Sequence, residues 1–300
     1  MKKLSVLVIA LLVFTMVFSA HSALAQEELA PLNDRITSYL ARVMETNSIQ
    51  LVHSANMHFA EIYLEETEYA NLPLVSQVAP QKAGRKDDGG PEFYIDIQDG
   101  NITQKDLESI VYFSDPVAFM KMSGSQLLEW IEATTANFNQ IDPDKSEDQF
   151  LVNDDFTDYN FDQFEGVNYV IDVTKPVGER IIEATINGTP LKEIDEVMIV
   201  TNGYRAGGGG DFPNVKEKFK VEVSDKATRQ SVVDYLKMTE GDVPAPNHNW
   251  YIKPVETEGQ VLFRSAPDAS DYITENKLIE QVGSFGGWGV YKYNLSKSPK

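Results

Sequence analysis

Val197-Met198-Ile199-Val200-Thr201-Asn202-Gly203-Tyr204-Arg205-Ala206-Gly207-Gly208-Gly209-Gly210-Asp211 is the stretch on which the reading of the chain turns. Its first five residues are apolar or β-branched, which predicts a buried strand over 197–201. Four glycines follow after Tyr204-Arg205-Ala206. A phosphate-cradling loop would continue into Lys-Ser or Lys-Thr, or would read G-x-G-x-x-G at the start of a helix. Here the run passes into Phe212-Pro213, so neither pattern is present. Four glycines either let the backbone approach a ligand closely or form a mobile surface turn. The turn is the simpler reading of these residues by themselves.

Outward from that stretch, apolar residues at Leu51, Val52, Ala55, Phe59, Ile62, Tyr63 and Tyr69 predict an amphipathic helix over 51–69, closed by Pro73. A second helix is expected over 125–138, with Gly124 at its start and Leu127, Leu128 and Ile131 as its buried stripe. Thr103, with Asp106 three residues on, marks the start of a helix over 104–111. Ser224 and Asp225 are cap candidates for a last helix over 226–238. Strands are expected over 117–122, 167–173, 180–186, 261–264 and 288–293. Asn187-Gly188 fits a hairpin dipeptide between the runs at 180–186 and 197–201. The elements intermix without a β-α-β rhythm. That predicts an α+β fold, a mixed sheet with packed helices, and not a doubly wound nucleotide fold.

The chain has 300 residues, 46 acidic against 26 basic side chains, a net charge of −20 and no cysteine. The charge argues against a surface that tracks duplex nucleic acid, which needs clustered Lys and Arg. The absence of cysteine excludes disulfides, thiolate metal sites and a cysteine nucleophile. Lys2 and Lys3, an apolar run from Leu4 to Phe18, and Ala23-Leu24-Ala25 read as a secretory signal over residues 1–25. The run is short of the roughly 20 apolar residues of a bilayer span, and none like it follows, so the expected product is secreted with no membrane span. No linker or repeat divides the remainder. It is read as a helical lead-in over 26–48 and one domain over 49–300.

The candidate chemistry is sparse. His53 and His58 are five apart and do not stack on one helix face; with His248 they make a poor metal cluster, and no H-E-x-x-H is present. His58 reads as a packed helix residue. The acidic run from Asp142 to Asp148 lacks the central glycine and terminal glutamate of an EF-hand and reads as a solvated loop. There is no G-x-S-x-G element. No catalytic residue is assigned.

Several stretches, taken in order, resemble one family: Leu72-Pro73-Leu74-Val75-Ser76 with Ala79-Pro80, Gly84-Arg85-Lys86, Tyr112-Phe113-Ser114-Asp115, Phe138-Asn139-Gln140-Ile141-Asp142-Pro143, Tyr159-Asn160-Phe161-Asp162, Gly166-Val167-Asn168-Tyr169, Ile171-Asp172-Val173-Thr174, Thr201-Asn202-Gly203-Tyr204-Arg205-Ala206 and Asn249-Trp250. Together they resemble the C-terminal, substrate-binding domain of bacterial 5'-nucleotidases, in the branch of the 2',3'-cyclic-nucleotide 2'-phosphodiesterase/3'-nucleotidases. The likeness runs from Ile49 to Leu295.

The resemblance implies that Phe113 and Tyr204 sandwich a nucleobase. It implies that Asp211 hydrogen-bonds the ribose, although the extra glycine leaves Gly210 as an alternative for that place. Asp115 stands where the family carries an asparagine and, unable to donate when ionised, would accept from a hydroxyl or repel a nearby phosphate. Arg85 would face the phosphate, and Gly166 would let the backbone approach the base. The family's metallophosphoesterase motifs, D-x-H, G-N-H-[D/E] and G-H-x-H, do not occur in these 300 residues. No cofactor is therefore expected in this chain, because the two divalent metals belong to the missing half. The expected partner is a nucleoside or nucleotide. The alternatives are one chain of a split nucleotidase, completed by a separate metallophosphoesterase chain, and a remnant serving as a scaffold.

Overall fold

A computed structural model describes residues 27–85, 90–273 and 277–297; the signal segment read over 1–25 lies outside them. At its centre is a five-stranded mixed sheet in the order Gln163–Glu165, Leu74–Val78, Val197–Asn202, Pro116–Met122, Lys220–Ala227. Leu74–Val78 and Val197–Asn202 are parallel, pairing Val75 with Ile199; the other three junctions are antiparallel. The fold is α+β, as the intermixed sequence pattern predicts.

Period-two alternation along these strands gives the sheet two apolar faces. Val117, Phe119, Met198 and Val200 meet Ala60 and Leu64 of the long helix Asn47–Leu64. Ala118, Met120, Met122, Val197 and Ile199 point the other way. They pack with Leu127, Trp130 and Ile131 of the helix Gly124–Thr134 into the largest core cluster. Two four-stranded sheets extend that core. One runs Thr189–Pro190, Ile181–Ile186, Asn168–Ile171, Trp250–Ile252, and the other Ile279–Phe285, Trp288–Tyr293, Val261–Ser265, Gln149–Phe150.

The helix Gln104–Ile110 begins at Thr103 with a reciprocal capping box to Asp106, as its sequence predicts. Four expectations are corrected. The long helix stops at Leu64 and gives way to turns, so Tyr69 packs from outside it. Ser224 and Asp225 cap nothing: they lie within the strand Lys220–Ala227, and the helix Thr228–Met238 starts after it. Asn187 and Gly188 do turn a hairpin with positive φ at both residues, but it joins Ile181–Ile186 only to Thr189–Pro190. The 197–201 run belongs to the central sheet.

The lead-in is not helical. Glu28–Leu32 pairs with Gly100–Thr103, and Ile36–Thr37 pairs with Asp96–Ile97. Tyr39, Leu40 and Val43 are part of the main core. No helix among the described residues is long and apolar enough to cross a membrane.

Candidate functional site

The parallel strands Leu74–Val78 and Val197–Asn202 end side by side, and beyond their carboxyl ends opens a cleft of ≈ 760 Å³. Gln77, Ala79 and Gln81 come from the first strand and its exit. Asn202, Tyr204 and Arg205 come from the second. Tyr112 to Asp115 lead into the antiparallel neighbour Pro116–Met122, and Tyr159 closes the wall from a single 3₁₀ turn, Asp158–Asn160.

Phe113 is held with its ring in the cleft. Its N–H donates to Gln81 Oε1 at 3.1 Å, and the ring meets Tyr112 and Tyr159 edge to face at 5.1 and 6.2 Å. It stays 42% exposed. Tyr204 lies in the one-turn helix Gly203–Ala206, capped by Asn202, whose Oδ1 accepts from Arg205 N at 2.8 Å. Tyr204 is 54% exposed. Its ring lies over Gly209, where a Cβ would come within 2.3 Å of the ring carbons. The two rings do not pack on each other. Two half-exposed aromatic rings lining one cleft offer apolar surface of the kind that marks a contact site.

The glycine run is an anchored loop and not the mobile turn of the simpler reading. Arg205, 3% exposed, donates to Gly209 O at 2.7 Å, to Tyr159 O at 2.9 Å and to Asp162 Oδ1 at 2.8 Å. Asp162 also accepts from the indole N–H of Trp130 at 2.8 Å. Burial pushes the Asp162 carboxyl up, and the Arg205 guanidinium beside it and the Trp130 N–H oppose that. Gly210 has φ +86, and a Cβ there would strike Arg205 Nη1 at 2.1 Å. Only glycine allows the guanidinium so close to the loop.

The structure brings Phe113, Tyr204 and Asp115 together on the cleft. The backbone oxygen of Asp115 accepts from Thr228 N and Oγ1 at 3.0 and 3.2 Å, and burial raises its carboxyl. Asp211 follows the loop in a left-handed conformation, exposed, and is not among the lining residues. Gly166 stands apart. Its φ is +90 and its Cβ position faces Leu74 O at 2.5 Å, so it packs at the start of the strand whose other end forms the cleft. The backbone of Arg85 closes the strand Ala83–Arg85; its side chain is outside the description.

Sequence reasoning did not single out Gln77, Gln81, Tyr112, Tyr159 or Asn202. Gln77 and Gln81 were visible only as polar residues flanking an apolar run, and Tyr159 as an aromatic beside Asn160.

An α+β domain with an aromatic-walled cleft at the carboxyl ends of parallel strands is thus what the fold and site define. The model of the family described as the 5'-nucleotidase C-terminal domain matches residues 28–217, and the chain belongs to that family. It is 36% identical over 271 residues to the trifunctional nucleotide phosphoesterase protein YfkN of Bacillus subtilis, covering 86% of this chain and 18% of that protein. It is 34% identical over 290 residues to the 2',3'-cyclic-nucleotide 2'-phosphodiesterase/3'-nucleotidase of Haemophilus influenzae, covering 88% and 44%. Among solved structures it resembles a 5'-nucleotidase precursor from Thermus thermophilus in fold, at a TM-score of 0.57 and 19% identity over 81% of this chain and 42% of that one. The chain spans less than half the length of these relatives.

The two-metal centre that the family implies does not fit the residues described. Among them no three His, Cys, Asp or Glu side chains converge. His53 is buried against Ser76 Oγ at 2.9 Å, and burial lowers its imidazole to about 3. His58 sits edge-on to Tyr235.

Proposed function

We propose that this chain is a secreted nucleoside- or nucleotide-binding domain serving nucleotide catabolism, with the phosphoesterase chemistry supplied by another polypeptide segment. The observation that carries the reading is the pair of solvent-facing rings, Phe113 and Tyr204, that both line one cleft large enough for a nucleoside. A nucleobase offers two π faces, and each stacking contact is worth about 1–3 kcal/mol. Asp115 supplies an acceptor for a sugar hydroxyl in the cleft; Asp211, outside the lining, would reach only a part of the ligand that projects from it, and Arg85 would face a phosphate. The guanidinium of Arg205, committed to Asp162, is not free to bind one. The cleft interior therefore suits the uncharged base and sugar, with any phosphate held outside it.

Calorimetric titration with adenosine and then 3'-AMP tests this. Saturable binding at micromolar to low-millimolar ligand is expected. No heat with either ligand, from a chain shown to be folded by circular dichroism, overturns it.

A second reading has the length of the relatives behind it. The proteins named as phosphodiesterase/3'-nucleotidases are more than twice as long as the matched region; in this reading a separate metallophosphoesterase chain completes a split nucleotidase. Mixing such a chain with this one and manganese should raise 3'-nucleotidase activity; no added activity excludes that pairing.

A further inference from the structure

Beneath Phe113 a smaller space of ≈ 20 Å³ adjoins the cleft. The two share Gln77, Ala79, Gln81, Phe113 and Asn202 as wall residues. Asn56, on the inward side of the helix Asn47–Leu64, lines the smaller space. It is 3% exposed, and no protein group hydrogen-bonds its Oδ1. A buried polar atom without a partner is costly, and native folds keep few of them.

The other carboxamides there have structural work. Gln77 accepts from Thr201 Oγ1, Gln81 from Phe113 N, and Asn202 from Arg205 N. Asn56 has no such duty, although Ala55 and Ala60 on the same helix show that an apolar residue is accepted in this packing. The space has room for one water or one exocyclic group of a ring.

We propose that Asn56 reads the edge of the nucleobase. A substituent on the ring stacked at Phe113 enters this space and hydrogen-bonds the carboxamide; the inference rests on the nucleoside reading above. A carboxamide presents its oxygen one way round and its NH₂ the other. Asn56 therefore takes either an amino or a keto group, and selects against a ring that carries only hydrogen at that edge. The ligand class is a nucleoside with a hydrogen-bonding exocyclic group, 6-amino and 6-oxo purines alike.

The test is titration of the full chain with adenosine, inosine and purine riboside, which differ at C6 and, for inosine, in the proton on N1. Wild type should bind adenosine and inosine within a few-fold of each other, and purine riboside about tenfold more weakly. Asn56→Leu should bring all three to the same Kd while keeping purine riboside binding, since the stacking rings are untouched. Asn56→Ala serves the same comparison should the leucine variant not fold. Equal binding of all three ligands to wild type, or a preference that survives in the variants, overturns the role of Asn56 and leaves the cleft reading standing. Binding of none of the three by folded wild type overturns both.

Discussion

Glu45 lies 7% exposed before the long helix, accepting the backbone N–H of His248 and, at 3.2 Å, that of Asn249. Burial, with Glu165 nearby, pushes its carboxyl up to about 7 from an ordinary value near 4.5. Ionising it in the folded chain therefore costs about 3 kcal/mol more than in the unfolded chain. Between pH 4.5 and 7 the folded chain keeps a proton that the unfolded chain has released, so this group makes stability fall as pH rises. His53 acts in the opposite sense. Its imidazole is lowered to about 3 from 6.5, the unfolded chain holds the extra proton between those values, and stability rises with pH up to 6.5.

The two effects offset each other between about pH 4.5 and 6.5. Glu45→Gln removes the Glu45 titration; its NH₂ replaces one of the two oxygens that accept from His248 and Asn249, a loss that is the same at pH 4 and pH 8. Urea denaturation of both proteins at these two pH values isolates the titration. The stability of the variant relative to wild type should rise by about 3 kcal/mol between the two pH values. An unchanged difference would mean that Glu45 is already ionised in the fold, and the burial reasoning would fail.

Phe113→Ala should weaken adenosine binding by about 1–3 kcal/mol in a folded chain; unchanged affinity by calorimetry removes Phe113 from the site. Gly209→Ala places a methyl group 2.3 Å from the Tyr204 ring and should cost binding with little change in Tm, whereas unaltered affinity would show that the ring does not need that position. Arg205→Met leaves the Asp162 carboxylate buried without its cation, held only by the neutral donors Trp130 and Gln77, which should cost about 3–5 kcal/mol in chemical denaturation; a loss well under 1 kcal/mol would show that the pair is not what holds the glycine loop.

Much of the architecture was legible wherever burial imposes a period. The central strands Pro116–Met122 and Val197–Asn202 and the helix Gly124–Thr134 are apolar enough to show in composition alone. Lys220–Ala227 was hidden because it is an edge strand. Its charges at Lys220, Glu222, Asp225 and Lys226 guard an unpaired edge, and its end reads in sequence as a helix start, with Ser224 and Asp225 as caps and Lys226 as the first helical residue. The strand at Glu28–Leu32 carries a proline and is too short for a period to emerge. Of the site, the two rings were reached through family likeness, since no local pattern distinguishes a ring in a cleft from one in a core. The roles of Tyr159, Gln81 and Asn56 were not legible because they come from contacts between distant segments, which periodicity does not record.

The pairing of Val75 with Ile199 has a consequence for when the cleft exists. Its walls come from residues 77–81, 112–115, 159 and 202–205, and they meet only after the parallel strands at 74–78 and 197–202 zip together. Contacts so far apart in sequence form late and slowly. A chain halted before Asn202 thus carries half of the aromatic pair and no pocket. Ligand capture by the nascent protein would be a switch thrown at the end of folding, and a bound nucleoside would report completion of the central sheet.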